Sequence, residues 1–347
     1  MKVITCASFF GSGSSALTDL VSEYSTVKNM TDFEFRFLYD LDGIADLEYH
    51  LCWNHDRNNS GSSIKRFQKM VNFNSGTFFN RRYEKFFDGK YKELSLAYIR
   101  ELVELEYDGW WLYDLYDKGK FYYYVSIIRS HLIRKITRGK MDILRKEKTL
   151  CSHPTNEKFL KATRNYITAL LEAANTEGLP YIELDQIVPS ENIDFYLRYF
   201  NEDVYVFVID RDPRDIFISN KYYWNDHVAP KEPNQFCEWF LYTRNHGFKN
   251  EYKNKNIIRL NFEDLLFNYE DVVKKIEETT GLNKNDHKEM FQKLNPKRSV
   301  HNTQLWKKLD VTDEISIIEE KLKDYLYDFS HVNENVVGLE SDSEEVF

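Results

Sequence analysis

Val3-Ile-Thr-Cys-Ala-Ser-Phe-Phe-Gly-Ser-Gly-Ser-Ser15 decides the reading of this chain. Val3, Ile4, Cys6 and Ala7 form a short apolar run that reads as a buried strand. Gly11 and Gly13 allow a tight turn and a close approach of backbone to a ligand. From Ser14 the pattern turns helical, with Ala16, Leu17, Leu20, Val21 and Tyr24 on one face. A glycine loop feeding a helix N-terminus leaves backbone N–H groups without helical acceptors, and the helix dipole favours an anion there. Ser12, Ser14 and Ser15 add hydroxyl donors. The ordinary reading is a strand-to-helix turn with a serine N-cap. A nucleotide hydrolase loop would carry Lys after its last glycine. No lysine follows Gly11 or Gly13 here, which disfavours an ATP or GTP hydrolase.

A second stretch has the same logic. Val204-Tyr-Val-Phe-Val-Ile-Asp-Arg-Asp-Pro-Arg-Asp-Ile-Phe-Ile-Ser219 reads as a strand covered on both faces that ends in a charged turn. Arg211 stands at the strand's C-terminal end, where open α/β sheets bind ligands. Ser219 follows eight residues later, about one turn into the next helix. An arginine fork and a serine hydroxyl can converge on one phosphate. A strand-end ion pair with Asp212 or Asp215 is the ordinary alternative, and for Arg214, with acids on both sides, it is the expected one. Together the two stretches point to one ligand with phosphates at both ends.

On these residues the chain resembles the sulfotransferases that use 3′-phosphoadenosine 5′-phosphosulfate (PAPS). Ser12-Gly13-Ser14-Ser15 matches that family's 5′-phosphosulfate loop, and Arg211 with Ser219 matches its 3′-phosphate motif. The stretch from Asn261 to Leu282 is similar to the family's strand, acidic turn and helix. Pro296-Lys-Arg-Ser-Val-His-Asn-Thr-Gln-Leu-Trp-Lys-Lys308 is similar to its C-terminal nucleotide-closing loop. The resemblance spans residues 1–40 and about 180–310. It implies a P-loop-type three-layer α/β fold with a central, mostly parallel sheet flanked by helices. It implies that Gly11, Ser12, Gly13, Ser14 and Ser15 hold the 5′-phosphosulfate of PAPS. Arg211 and Ser219, helped by Lys297, Arg298 or Ser299, would hold the 3′-phosphate, with PAP (adenosine 3′,5′-bisphosphate) as product and no metal.

The family's cation before Ser-Gly is Gly11 here. Its loss weakens transition-state charge stabilisation unless another cation reaches in; Lys28, Arg36, Lys307 and Lys308 are the candidates. Glycan-directed and tyrosine-directed members use a glutamate as base just after the second strand. Glu34, twenty-three residues after Gly11, takes that place. His50 and His55 are the reserves, and a solvated strand-end Glu34 is the plain alternative. The implied activity is metal-independent sulfuryl transfer to a carbohydrate hydroxyl of a cell-surface or capsular glycan, an anionic one included, by a bacterial type of enzyme. Two other readings stay open: a non-catalytic PAP-binding member of the fold, and a nucleotide-kinase-like P-loop enzyme.

The 347 residues suit a large α/β core, 1–43 with 151–332, interrupted by a mostly helical insertion over 44–150 for acceptor recognition. Strands are expected at 2–8, 27–31, 180–185, 204–210 and 256–261. Helices are expected at 156–177, 214–226, 233–248, 269–280, 286–294 and 313–327. Asn58-Asn-Ser-Gly-Ser-Ser63 reads as a loop. Within the insertion, Trp110, Trp111, Tyr113, Tyr116, Phe121, Tyr122 and Tyr123 could stack on sugars or fill the core. Residues 129–148 carry eight bases against two acids on an amphipathic pattern, either a seat for an anionic acceptor or a solvated face. The net charge is −9, and the acidic stretch 333–347 reads as a disordered tail. Nothing indicates nucleic-acid binding. Four cysteines without metal spacing fit a reducing compartment. With no signal peptide and no long apolar run, a cytoplasmic protein without an integral membrane segment is expected.

Overall fold

The Val3–Cys6 run lies within β1 (Lys2–Cys6), the middle strand of a five-stranded sheet. The other members are β2 (Val27–Lys28), β5 (Tyr181–Glu183), β6 (Asp203–Asp210) and β7 (Ile257–Asn261), in the order β2-β5-β1-β6-β7. Every pairing is parallel, with Val3 opposite Ile182 on one side and Val204 on the other. The computed structural model describes residues 1–30, 33–109, 115, 117–140, 147–224, 228–244, 254–332 and 335–340. All five expected strands are present; β2 ends at Lys28, short of the expected 31, and the other four lie within two residues of their expected bounds.

Side-chain alternation explains why the sheet is covered on both faces. Ile4 and Cys6 with Tyr205, Phe207 and Ile209 turn toward a core that also takes Ala16, Leu17, Leu20 and Val21 of α1 (Ser14–Ser22). Val204, Val206 and Val208, on the other side of the pleat, are buried as well. A separate cluster joins Ile216, Phe217, Phe236, Phe240, Leu305, Ile315 and Ile318. The result is an α/β fold with a central parallel sheet flanked by helices.

The chain divides into two compact units, 1–40 with 167–347, and 41–166. The first holds the sheet. The second contains α2 (Ile44–Glu48), α3 (Arg57–Ser75), α4 (Tyr91–Leu102) and α5 (Lys120–Ile136), and α6 (Asn156–Ala174) begins in it. It also holds an antiparallel pair, β3 (Leu105–Gly109) with β4 (Glu147–Cys151), that the sequence pattern does not announce.

The loop expected at Asn58–Ser63 is instead the first part of α3. Asp56 caps that helix by accepting the N–H groups of Asn58 and Asn59. The small residues serve packing: a Cβ at Gly61 would meet the Leu150 carbonyl oxygen at 2.7 Å. Close helix–strand contact, not a turn, explains the composition.

The helix expected at 286–294 is absent. A 3-10 turn covers Lys284–Asp286, and Phe291 has a φ of 65°. Here a buried side chain takes the N–H groups a helix would have used. The Glu23 carboxylate accepts from the N–H groups of Phe291, Lys293 and Leu294, at 3.2, 2.8 and 3.0 Å. The His287 ring, stacked on Tyr24, lies 2.8 Å from the same carboxylate. The expected 214–226 helix is a short α8 (Pro213–Ile218) continued by a π-helical turn, Ser219–Tyr223. The α9 helix (Pro233–Arg244) carries the described part of the one expected at 233–248, and residues 245–248 lie outside the described residues. The 313–327 helix is α13 (Thr312–Lys321) followed by a 3-10 turn at Lys323–Tyr325.

Candidate functional site

The chain leaves β1 on one side of the sheet, toward β2, and leaves β6 on the other, toward β7. The loops at the C-terminal ends of two such strands part and open a crevice, the usual ligand position in open α/β sheets. Both phosphate-loop stretches end there. Arg211 reaches 200 residues back along the chain to donate from Nη1 to the Gly11 carbonyl oxygen at 3.2 Å. Its Nη2 donates to Ser219 Oγ at 3.4 Å and to the Asn302 carbonyl oxygen at 2.6 Å.

A cavity of about 270 Å³ lies at this junction. Its lining includes Gly11, Gly13, Ser14, Ser15, Arg211, Arg298 and Ser299, all expected from sequence. Gly13 caps α1 in a left-handed conformation (φ 87°) and offers no side chain to the helix end. A Cβ at Gly13 would stand 2.6 Å from the Phe262 ring. Gly11, at φ 73°, lies under Trp224 and Ile216, each 3.2 Å from where its Cβ would be. Both glycines take a backbone conformation that side chains disfavour, and at Gly13 packing leaves no room for a Cβ.

Other expected residues sit elsewhere. Ser12 is buried and its hydroxyl donates to the Phe9 carbonyl oxygen, so it closes the loop instead of facing the cavity. Ser219 is also buried and touches the cavity only through Arg211. Lys297 pairs with Glu340 and is not among the lining residues. The four cations proposed to replace the one missing at Gly11 also lie elsewhere. Lys28 pairs with Glu177, Arg36 with Glu34, Lys307 with Gln304, and Lys308 with the His301 carbonyl oxygen. The cation that does line the cavity beside Arg211 and Arg298 is Lys293, which the sequence reading missed. It arrives on the irregular segment pinned by Glu23. Asp19, also in the lining, is the one carboxylate among these residues.

The surroundings of Arg211 are strongly coupled. Its guanidinium is buried, which pulls its pKa down, while Asp215, Glu263 and Asp212 push back. Burial raises Asp215 to about 7 although Arg211 opposes the shift, and raises Glu263 to about 8. Asp215 accepts the N–H groups of Gln304 and Leu305, and Glu263 accepts that of Asp212. These bonds tie the C-terminal segment and the start of α10 (Phe262–Phe267) to the arginine turn. Arg214 makes the ion pairs expected of it, with Asp212 and with Glu319, and covers the Trp306 ring at 3.9 Å.

Glu34 lies along the same sheet edge but does not line the cavity. It forms a parallel bridge with Asp185, just beyond β5, and its carboxylate meets Arg36 at 2.9 Å. Asp185 is a second residue the sequence reading missed. Burial and the Glu34 charge lift it to about 7, and its Oδ1 has no partner among the described residues. Next to it, Gln186 Nε2 donates to Ser8 Oγ at 2.6 Å, which links this edge to the start of the glycine loop. The reserve residues His50 and His55 fall in the second unit, and His55 stacks on His153. Trp110, Trp111, Tyr113 and Tyr116, and Arg145 and Lys146 of the basic stretch, lie outside the described residues, as does most of the acidic tail. Among the described residues no group of three or more His, Cys, Asp or Glu is arranged to hold a metal, and no helix is long and apolar enough to cross a membrane.

No family model and no curated protein matches this sequence. A solved structure of retinol dehydratase in complex with androsterone and the inactive cofactor PAP is similar, with a TM-score of 0.35. The identity is 12%, over 95% of this chain and 84% of that one.

Proposed function

We propose that the protein is a PAPS-dependent sulfotransferase that acts on a carbohydrate hydroxyl. The observation that carries this reading is the Arg211 fork, which joins the glycine loop after β1 to the turn after β6 around one cavity. The N-terminus of α1 with Ser14 and Ser15 would hold the 5′-phosphosulfate. Arg211, Arg298 and Ser299 would hold the 3′-phosphate, and a cationic pocket left unfilled by a plain adenosine nucleotide would give selectivity. Lys293 would supply the positive charge that Gly11 lacks and would steady the sulfonate as it transfers.

Glu34 would take the acceptor proton, with Asp185 packed beside it. The acceptor oxygen forms its bond to sulfur as the bond from sulfur to the 5′-phosphate oxygen breaks, and the proton passes to the carboxylate. Support for a sugar acceptor comes from the glutamate-type base in the sequence resemblance.

The test is calorimetric titration with PAP and, in parallel, ATP with magnesium. PAP is expected to bind without metal and ATP not to bind. Arg211→Ala should weaken PAP by roughly tenfold to a hundredfold, the worth of a charge-assisted hydrogen bond. Glu34→Gln should leave PAP affinity intact and abolish sulfate transfer from PAPS. PAP binding with no transfer to any glycan would favour a binding protein, and absence of PAP binding would refute the donor assignment.

A further inference from the structure

The α5 helix exposes an apolar stripe. Phe121, Val125, Ile128, Leu132 and Ile136 fall at spacings of three and four, so they form one stripe along it. A stripe of this kind ordinarily faces the core. Here these five are 84, 45, 60, 54 and 78% exposed. The inward, half-buried side has apolar residues of its own, Tyr122, Tyr123, Ile127 and Ile133, beside Ser126, Ser130 and Thr137. No residue of the helix is buried. A contiguous exposed apolar strip marks a surface made for a partner.

Charge identifies the partner. Residues 118–140 contain seven Lys or Arg and no Asp or Glu, within a chain whose net charge is −9. By helical periodicity Arg129 borders one side of the stripe and Lys135 the other, while Arg134 lies toward the opposite face. A second copy docked on this face would oppose like charges along its whole length. Nucleic acid would use the cations and leave the apolar stripe wet. An anionic bilayer uses both: acyl chains accept the stripe and headgroup phosphates meet the flanks.

We propose that α5 docks the protein onto an anionic phospholipid surface, lying in the interface without crossing it. This holds whatever reaction the cavity of the first unit performs.

The experiment is flotation of the full chain with vesicles of phosphatidylcholine alone or enriched in phosphatidylglycerol. The protein is expected to float with the anionic vesicles only, and less so as salt rises. The double substitution Ile128→Ser with Leu132→Ser should weaken partition roughly tenfold or more. Arg129→Ser and Lys135→Ser should each weaken it about fivefold. Unchanged circular dichroism would show that the variants fold. The proposal is overturned by no flotation at low salt, by equal flotation with neutral vesicles, or by flotation that survives the double substitution. A solution dimer that the double substitution dissociates would assign the stripe to a second copy and overturn it too.

Discussion

The cavity beneath the glycine loop and the α5 helix both gather positive charge, and they treat it in opposite ways. At the cavity Arg211 is buried, bonded to three oxygens and ringed by Asp212, Asp215 and Glu263. Those three bonds hold the guanidinium before a ligand arrives, so little ordering of this side chain remains to oppose binding. On α5 the cations are solvated and flank an apolar stripe that stands exposed among the described residues. A preorganised pocket selects one small anion by geometry. A solvated stripe with charged edges selects a class of surface and tolerates variation in detail. If this contrast is right, substitutions near the cavity disturb stability and binding together, whereas substitutions on α5 change binding alone.

The largest expected effect is at Glu23. Its carboxylate holds three backbone N–H groups of the segment that brings Lys293 and Leu294 to the cavity. Glu23→Gln keeps the size but turns an NH2 toward donors, which leaves at least one buried N–H unmatched. The expected loss is about 2–4 kcal/mol in urea unfolding, with weaker PAP binding in the folded protein. Unchanged stability would show that other contacts hold the segment and that the cavity is less preorganised than described.

Asp185 sharpens the comparison through pH. Its folded pKa of about 7 stands above its ordinary 3.8. The folded protein therefore keeps a proton that the unfolded chain has released, and stability falls as pH rises from about 4 to about 7. Asp185→Asn removes that slope and should be more stable at pH 8 by on the order of 2 kcal/mol. Denaturant melts at pH 5 and pH 8 measure it. An equal pH dependence in the variant would mean that the Glu34–Asp185 edge is open to water.

How much of this was legible depended on whether a residue's role was local. The five strands could be read because alternating apolar residues follow from the pleat, and Gly13 because a left-handed cap beside Phe262 admits no side chain. Arg211 could be read from its place at a strand end. Lys293 could not, since its position depends on Glu23, 270 residues away, accepting its N–H. The same long-range bond replaced the periodic helix expected at 286–294. Asp185 gave no signal because its pKa comes from burial and from Glu34, a neighbour only in the folded sheet. Ser12 misled for a simpler reason: a hydroxyl in a phosphate loop is equally suited to closing that loop on the Phe9 carbonyl. On α5 the amphipathic pattern was plain, but the exposure of its stripe was not: an apolar stripe names a face that wants covering, and the cover need not be this chain.

The smallest expected effect bears hardest on that last point. In water, Ile128→Ser with Leu132→Ser should change the stability of the protein by no more than about 0.5 kcal/mol, because both side chains are more than half exposed. The helix even exchanges exposed apolar surface for polar. A loss of about 2 kcal/mol or more per residue is what removal from a packed core produces. That result would mean the stripe is already covered in solution, and the contrast between a finished pocket and an unfinished face would dissolve. A near-zero result leaves an apolar face that contributes nothing to folding. That is the behaviour expected of a face whose apolar residues serve binding instead of folding.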